Sequence, residues 1–297
     1  MTRILSALLL ILLLPATAAA LTVTDDSGRT VSFDKPFIRV ISLYAAHSEN
    51  LFELGLDEEV IGVTRQEDYP AHALEKPAFS ARDGVERFLA AKPDLVLIRP
   101  MLDRGYPGLW RALEQHGITV VSLQPNTVDE MYGYWRTLGL LTGRETDAGW
   151  MIRTFKDKLS SFEERLAHLP ELERPKVFFE SIHSKHATFS PGSMPLFVLH
   201  YAGGRNAAPD ARPKRGTNIA SYGLERLLNR GKNIDVYLAQ YGTMNQVSVD
   251  DIRNGPAASR IKAVLNNTVF LVDEHLVSRP TMRLLTGIQT VYRLLHW

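Results

Sequence analysis

The chain has 297 residues, of which 45% are hydrophobic and 23% charged, with a formal net charge of +1 and no cysteine. That length suits two domains better than one small core, and near-neutral charge without a basic run speaks against a nucleic-acid track. The missing thiol excludes disulfides, thiolate metal sites, a cysteine nucleophile and a lipid-modified cysteine.

Residues 1–20 read as an export signal. Arg3 supplies the positive start, Ile4 to Leu14 is apolar but short for a membrane span, Pro15 breaks it, and Ala18-Ala19-Ala20 offers small residues for cleavage. No later stretch is apolar enough to cross a bilayer, so the mature chain is expected to be soluble. With no lipid anchor, a Gram-negative periplasm is the expected compartment. Thr22 to Phe33 alternates around Asp26-Ser27-Gly28 and predicts an exposed hairpin. Arg39 to Leu43 is a short buried strand, Ser48 is placed to cap a helix from Glu49 to Leu54, and Gly55 stops it. Further strands are expected at Val60–Val63, Leu95–Ile98 and Ile118–Leu123, with Trp110–Gln115 helical before Gly117. Alternating strands and helices argue for α/β lobes with parallel sheets.

From Thr142 to His168 the period changes. Trp150, Ile152, Phe155, Leu159, Phe162 and Leu166 recur at helical spacing, and Leu169-Pro170 ends the run. This predicts a long connecting helix over 142–169, with Trp150, Phe155 and Phe162 in the core. It would join an N-terminal lobe over 21–141 to a C-terminal lobe over 170–297. The second half restarts with a strand at Lys176–Glu180, a helix at Met194–Tyr201 stopped by Gly203-Gly204, a polar loop from Asn206 to Thr217, a strand at Val269–Val272 and a closing helix at Arg283–Leu295.

One phrase is written twice. Val85-Glu86-Arg87-Phe88-Leu89 leads into Leu95-Val96-Leu97-Ile98, and Leu224-Glu225-Arg226-Leu227-Leu228 leads into Val236-Tyr237-Leu238. Each copy reads as a helix turn with a surface Glu, a polar break and a buried strand. Two lobes presenting matching carboxylates suggest a carrier that docks on two matching positive sites.

The Thr24-Asp25-Asp26-Ser27-Gly28-Arg29 opening, Arg39 to Leu43, Glu53-Leu54-Gly55-Leu56 with Val60 to Val63, Lys92-Pro93-Asp94-Leu95-Val96, Gly203-Gly204-Arg205-Asn206 and Ser278-Arg279-Pro280 follow in an order that resembles the periplasmic substrate-binding proteins of ABC importers for ferric siderophores, haem and cobalamin. The resemblance spans essentially the whole mature chain. It implies two Rossmann-like lobes, a rigid helix between them, a ligand cleft where they face each other, and modest closure on binding. It also implies that Glu86 and Glu225 meet arginines of the permease, where two carboxylates on a rigid body fix register as well as adding attraction. The first strand-to-helix turn departs from the family: Ser42 to Glu49 carries Tyr44 and His47 where relatives tend to have small residues.

Ligands of open α/β sheets bind beyond the carboxyl ends of the strands. Candidate contacts there are Tyr44, His47, Arg65, Arg99, Arg104 and Tyr106 from the first lobe. The second lobe offers His183, Lys185, His186, Tyr241, Met244, His275 and Arg279. Arginines suit anionic carboxylate or catecholate oxygens. Arg279 has a second reading, stabilising the start of the last helix. A histidine, or Tyr44, Tyr106 or Tyr241, is placed to complete the coordination of a chelated metal. A bare-metal site from His183, His186 and His275 would need Glu180 or Asp273 as well.

No Gly-x-Ser-x-Gly elbow and no His-Glu-x-x-His occurs, so an exported hydrolase is the rival without a motif. The expected protein is a monomeric periplasmic carrier and not an enzyme. It has no intrinsic cofactor, binds an iron chelate of the siderophore kind, and has ABC permease subunits as partners. Haem or cobalamin is the alternative cargo, and a stand-alone scavenger the alternative role.

Overall fold

The computed structural model describes residues 20–213 and 217–296. Residues 1–19 of the expected export signal lie outside them.

The first lobe opens with a hairpin, β1 (Leu21–Thr24) and β2 (Thr30–Phe33), paired antiparallel. It continues through β3 (Val40–Ser42), α1 (Ala45–Glu53), β4 (Val60–Thr64), β5 (Ala78–Phe79), α2 (Val85–Ala91), β6 (Leu95–Ile98), α3 (Pro100–Gly105), α4 (Pro107–Gln115) and β7 (Thr119–Ser122). Strands β3 and β6 are buried throughout, as continuous apolar runs covered on both faces should be. The sheet order is β5-β4-β3-β6-β7, every pair parallel. The chain therefore builds outward on one side of β3, then returns to its other side at β6.

Helix α5 (Val128–Thr142) follows, then α6 (Glu145–Leu166). Gly143 separates them at φ 68, where a Cβ would stand 2.8 Å from Pro36, so this break requires glycine. The connecting helix runs as expected but begins after this turn. It buries Ala148, Met151, Ile152, Phe155, Leu159, Phe162 and Leu166, a stripe at spacings of three and four. Trp150 falls off that stripe and is 61% exposed, which corrects the expectation that it is core. The sequence reading also assigned no helix to α5, whose Met131, Trp135 and Leu138 are buried against the same core.

The second lobe contains β8 (Lys176–Ile182), β9 (Ala187–Phe189), α7 (Met194–Tyr201), β10 (Arg205–Asn206), β11 (Arg212–Pro213), β12 (Ile219–Ser221), α8 (Leu224–Arg230), β13 (Val236–Tyr241), α9 (Val249–Arg253), α10 (Lys262–Leu265), β14 (Val269–Asp273), α11 (Glu274–Val277) and α12 (Leu284–Leu295). Its order is β11-β12-β9-β8-β13-β14, with β10 also on β8. Strands β8, β13 and β14 are parallel, whereas β9, β12 and β11 add on antiparallel. The expected parallel sheet is thus its central part, extended by an antiparallel edge built from the Ala187–Phe189 and Ile219–Ser221 segments. Those short strands lacked a length or alternation that the sequence could reveal.

One hydrophobic cluster runs through both lobes, from Val40, Leu95 and Leu138 through Phe155 to Val177, Leu238 and Ile288. The lobes are therefore fused through α5, α6, α7 and α12. Phe155→Ala is expected to cost about 3–5 kcal/mol in chemical denaturation, and Trp150→Ala no more than about 0.5 kcal/mol.

Candidate functional site

In each sheet the chain reverses its direction of winding at one point. In the first lobe this lies between β3 and β6, and the loops there place Tyr44 and Arg99. In the second it lies between β8 and β13, where the loop after β8 places His183 and the last residue of β13 is Tyr241. Crevices at such switch points, beyond the carboxyl ends of the strands, are where open sheets hold ligands.

In the first lobe the Arg99 guanidinium lies 4.7 Å over the half-buried Tyr44 ring. Behind Tyr44, at 5.1 Å and edge-on, stands His47. His47 was expected at the ligand surface but is fully buried, a correction that its partners explain. Its Nδ1 is 2.7 Å from the Tyr134 hydroxyl and its Nε2 3.0 Å from the Ile98 carbonyl. A carbonyl only accepts, so Nε2 carries the proton and Nδ1 accepts from Tyr134. Burial pulls the His47 pKa down to about 4, so the ring is a neutral strut that fixes Tyr44 from below. Ser48 does not cap α1. The helix starts four residues earlier than expected, and the Ser48 hydroxyl donates to Ser42 Oγ at 2.8 Å. On the rim, exposed Arg65 pairs with Asp83 at 3.2 Å, Arg82 donates to the Tyr106 hydroxyl at 3.5 Å, and Arg104 is exposed.

In the second lobe Glu180 is wholly buried inside β8 and accepts from the Tyr237 hydroxyl. Both its oxygens lie 3.1 Å from His183 Nδ1. The hydrogen bond to Glu180 raises the His183 pKa against the opposing effect of burial. With Nδ1 turned inward to a carboxylate, Nε2 on the far side of the ring is the nitrogen left for a ligand, the arrangement by which second partners orient ligating imidazoles. The His186 ring lies 6.0 Å from that of His183, and Lys185 between them is exposed.

The loop tips are laced together. Asn245 Oδ1 accepts from the His183 amide at 2.8 Å, and its Nδ2 donates to the Gln240 carbonyl at 2.8 Å. The Gln240 side chain donates to the Ser181 carbonyl at 3.1 Å and accepts from Ser278 Oγ at 2.8 Å. Glu274 accepts from the amides of Thr243 and Met244 at 2.8 and 3.1 Å. Tyr241 and Met244 are exposed on this rigid lip. Sequence reasoning missed Gln240, Asn245 and Glu274. The one available signal was a polar residue closing an apolar strand, as Gln240 does in β13.

His275 and Arg279 do not join that lip. Arg279, 8% exposed, is hydrogen-bonded through Nη1 to Glu49 and to Asp68 of the other lobe. Arg283 lies 3.3 Å from Glu49 and 3.2 Å from Asp68, and His275 Nδ1 is 3.0 Å from Asp68. Asn50 and Trp135 both donate to the Pro280 carbonyl, at 2.9 and 3.2 Å. The expected ligand role of Arg279 and His275 is thus replaced by a polar seam between the lobes, because Glu49, 4% exposed, requires a cation beside it. Burial pushes the Asp68 carboxyl up, but hydrogen bonding and charge from Arg279 outweigh it and hold the group below its ordinary value. Glu67 behaves oppositely. Burial lifts its pKa to about 8, outweighing the lowering effects of the Ser48 hydroxyl and of the Arg279 charge. Among the described residues no group of three or more His, Asp or Glu is arranged to hold a metal ion. The set His183, His186 and His275 is therefore not assembled as a bare-metal site.

Glu86 and Glu225 are each the second residue of a seven-residue helix, α2 and α8, and both are exposed. Each helix leads back into a central strand, β6 or β13, so both begin on the side where the strands end.

The sequence profile described as "Periplasmic binding protein" matches residues 40–276. A Bacillus subtilis (strain 168) protein described as an uncharacterized ABC transporter substrate-binding lipoprotein is 25% identical over 90% of this chain and 83% of its own. A vitamin B12-binding protein of Vibrio parahaemolyticus is 25% identical over 86% of this chain and 88% of its own. The crystal structure of a possible iron-binding, periplasmic solute-binding protein from Staphylococcus epidermidis superposes with a TM-score of 0.76 at 25% identity, covering 89% of this chain and all of that one.

Arg279→Ala leaves the Glu49 carboxylate buried without its cation and is expected to cost about 3–5 kcal/mol in urea denaturation near neutral pH. Glu67 binds its proton more tightly folded than unfolded. Its contribution is therefore present below the ordinary value of 4.5 and lost as pH rises through about 8. Glu67→Gln should accordingly gain up to about 5 kcal/mol on the native protein at pH 9 and nothing at pH 4, measured by denaturation at both.

Proposed function

The chain belongs to the periplasmic binding protein family, and from that premise we propose that it is the substrate-binding component of an ABC importer. In this reading it captures an iron chelate of the ferric siderophore kind in the periplasm and delivers it to the membrane permease. The pair of switch-point crevices carries the reading, because each presents a preorganised, chemically different lip. Tyr44 under Arg99 offers an aromatic face and a guanidinium for anionic oxygens, with Arg65, Arg104 and Tyr106 along the same rim. His183, fixed by Glu180, offers an imidazole nitrogen, with the Tyr241 phenol exposed nearby on the same lip. A chelated ferric ion with an open coordination position accepts either group. Charge on one side and a ligating nitrogen on the other fit an anionic metal complex held between them. His186 remains a lesser candidate contact beside His183.

The vitamin B12-binding relatives favour a corrinoid as the second reading, since a cobalt centre also takes an imidazole. Relatives are binding and transport proteins, and the proposed role asks for no chemistry on the cargo. Among the described residues no helix is long and apolar enough to cross a membrane. Delivery then depends on surface recognition, for which Glu86 and Glu225 are the proposed contacts with permease arginines.

A tryptophan-fluorescence titration against ferric siderophores, haem and cobalamin is expected to give saturable binding for one class. His183→Ala should weaken it at least about tenfold. Binding of cobalamin alone would select the second reading, and binding of none would refute the carrier role. Glu86→Ala combined with Glu225→Ala should lower uptake by at least about tenfold while leaving ligand affinity unchanged. Uptake that survives the double change would refute docking through these residues.

A further inference from the structure

Helix α3 holds three of the proposed ligand contacts, Arg99 just before it, Arg104 within it and Tyr106 just after it, yet none of its residues is buried. Leu102 and Tyr106 touch the hydrophobic cluster beneath only partly buried. A six-residue helix with so little apolar anchorage cannot be fixed by packing alone. Something polar must hold it.

The candidate is the turn between β1 and β2. Asp25, its side chain fully buried, accepts hydrogen bonds from the amides of Ser27 (3.0 Å), Arg29 (2.9 Å) and Ser122 (3.1 Å) and from the Arg29 guanidinium (3.0 and 2.8 Å). The Asp26 amide donates to the Ser122 carbonyl at 2.8 Å, and the Asp26 carboxylate accepts from the Gln124 amide. The turn is thereby welded to the cleft end of β7. Its outer side then reaches α3. Ser27 Oγ donates to the Asp103 carboxylate, and the Arg29 guanidinium lies 3.5 Å from Asp103 and 3.5 Å from Glu114 of α4.

We infer that the Asp25–Arg29 turn is a positioning brace for the first lobe's ligand lip: it ties α3 through Asp103 to the rigid end of the sheet and so holds Arg99, Arg104 and Tyr106 in place. Its value for binding rests on the function proposed above; its bracing action does not. A charge-assisted contact of this kind on a short helix governs how often the helix opens. The brace residues touch no ligand, so they act through preorganisation of those that do.

Hydrogen exchange on the unliganded protein tests the brace directly. The Leu102 amide donates to the Arg99 carbonyl at 2.8 Å and the Tyr106 amide to the Leu102 carbonyl at 3.0 Å, so both report opening of α3. Ser27→Ala on the turn, or Asp103→Ala on the helix, should each speed exchange at these two amides about tenfold. Amides of β7 and the melting temperature should stay unchanged. The combined variant should exchange no faster than Asp103→Ala alone, because the Ser27 hydroxyl reaches α3 only through Asp103. Unchanged exchange at Leu102 and Tyr106 in both variants would overturn the inference, as would equal acceleration throughout the lobe. Affinity for a ferric tricatecholate provides the second arm. A loss of about tenfold that tracks the exchange rates supports the lip as the binding surface. Faster exchange with unchanged or absent binding would refute the ligand reading of the lip and leave the brace standing.

Discussion

A guanidinium held between two carboxylates of the opposite lobe is the constraint on which the rest depends. Arg279 sits against Glu49 and Asp68, Arg283 backs it, and His275 closes the cluster. Buried ion pairs of this kind contribute little net stability over an apolar contact but are costly to break, so their effect is to select one registry. Here the registry is that of two lobes already joined by a common core through α5, α6, α7 and α12. The Thr127–Ser193 bridge ties the starts of α5 and α7 as well. With hydrophobic fusion and polar seam acting together, the two lobes are held in one registry, and a ligand bound as proposed need not spend binding energy on assembling it.

Each lip is stiffened by a different device. In the second lobe, buried Asn245, Gln240 and Glu274 saturate the loop amides and carbonyls, so the loops after β8, β13 and β14 behave as one surface. In the first lobe, a neutral buried histidine supports Tyr44 from inside, and the hairpin turn supports α3 from outside. Apart from the outer side of the hairpin turn, the positioning groups are buried and hydrogen-bonded, whereas the proposed contacts are exposed or half-buried. That division is what a carrier requires, since cargo must be held tightly enough to collect and loosely enough to hand over.

Much of the fold was legible in the sequence because its strands are buried on both faces and therefore written as unbroken apolar runs, as in Leu95 to Ile98 and Val236 to Leu238. The connecting helix was legible from its stripe. Trp150 misled because its size suggested core when its phase in the helix did not. The repeated Glu phrase located two helices in equivalent places, α2 and α8. The antiparallel edge of the second sheet was not legible, because two- and three-residue strands carry no period. For the proposed site, residue type and position after a strand pointed alike to Tyr44, Arg99 and His183, which lie at the switch points half-buried or exposed. Residue type could not separate these from His47, His275 and Arg279. What distinguishes the latter is a partner distant in sequence, 230 positions away for Arg279 and Glu49 and 87 for His47 and Tyr134. Such pairings are a product of the fold alone.

The central claim is a rigid two-lobed body whose cleft is set before cargo arrives. It is most directly tested by pulsed electron–electron distance measurement between spin labels on Glu86→Cys and Glu225→Cys, practical because the chain has no cysteine of its own. The account predicts one narrow distance distribution in the unliganded protein that shifts by no more than about a few ångströms on addition of a bound chelate. A broad or two-peaked distribution, or a shift of about ten ångströms or more, would contradict it.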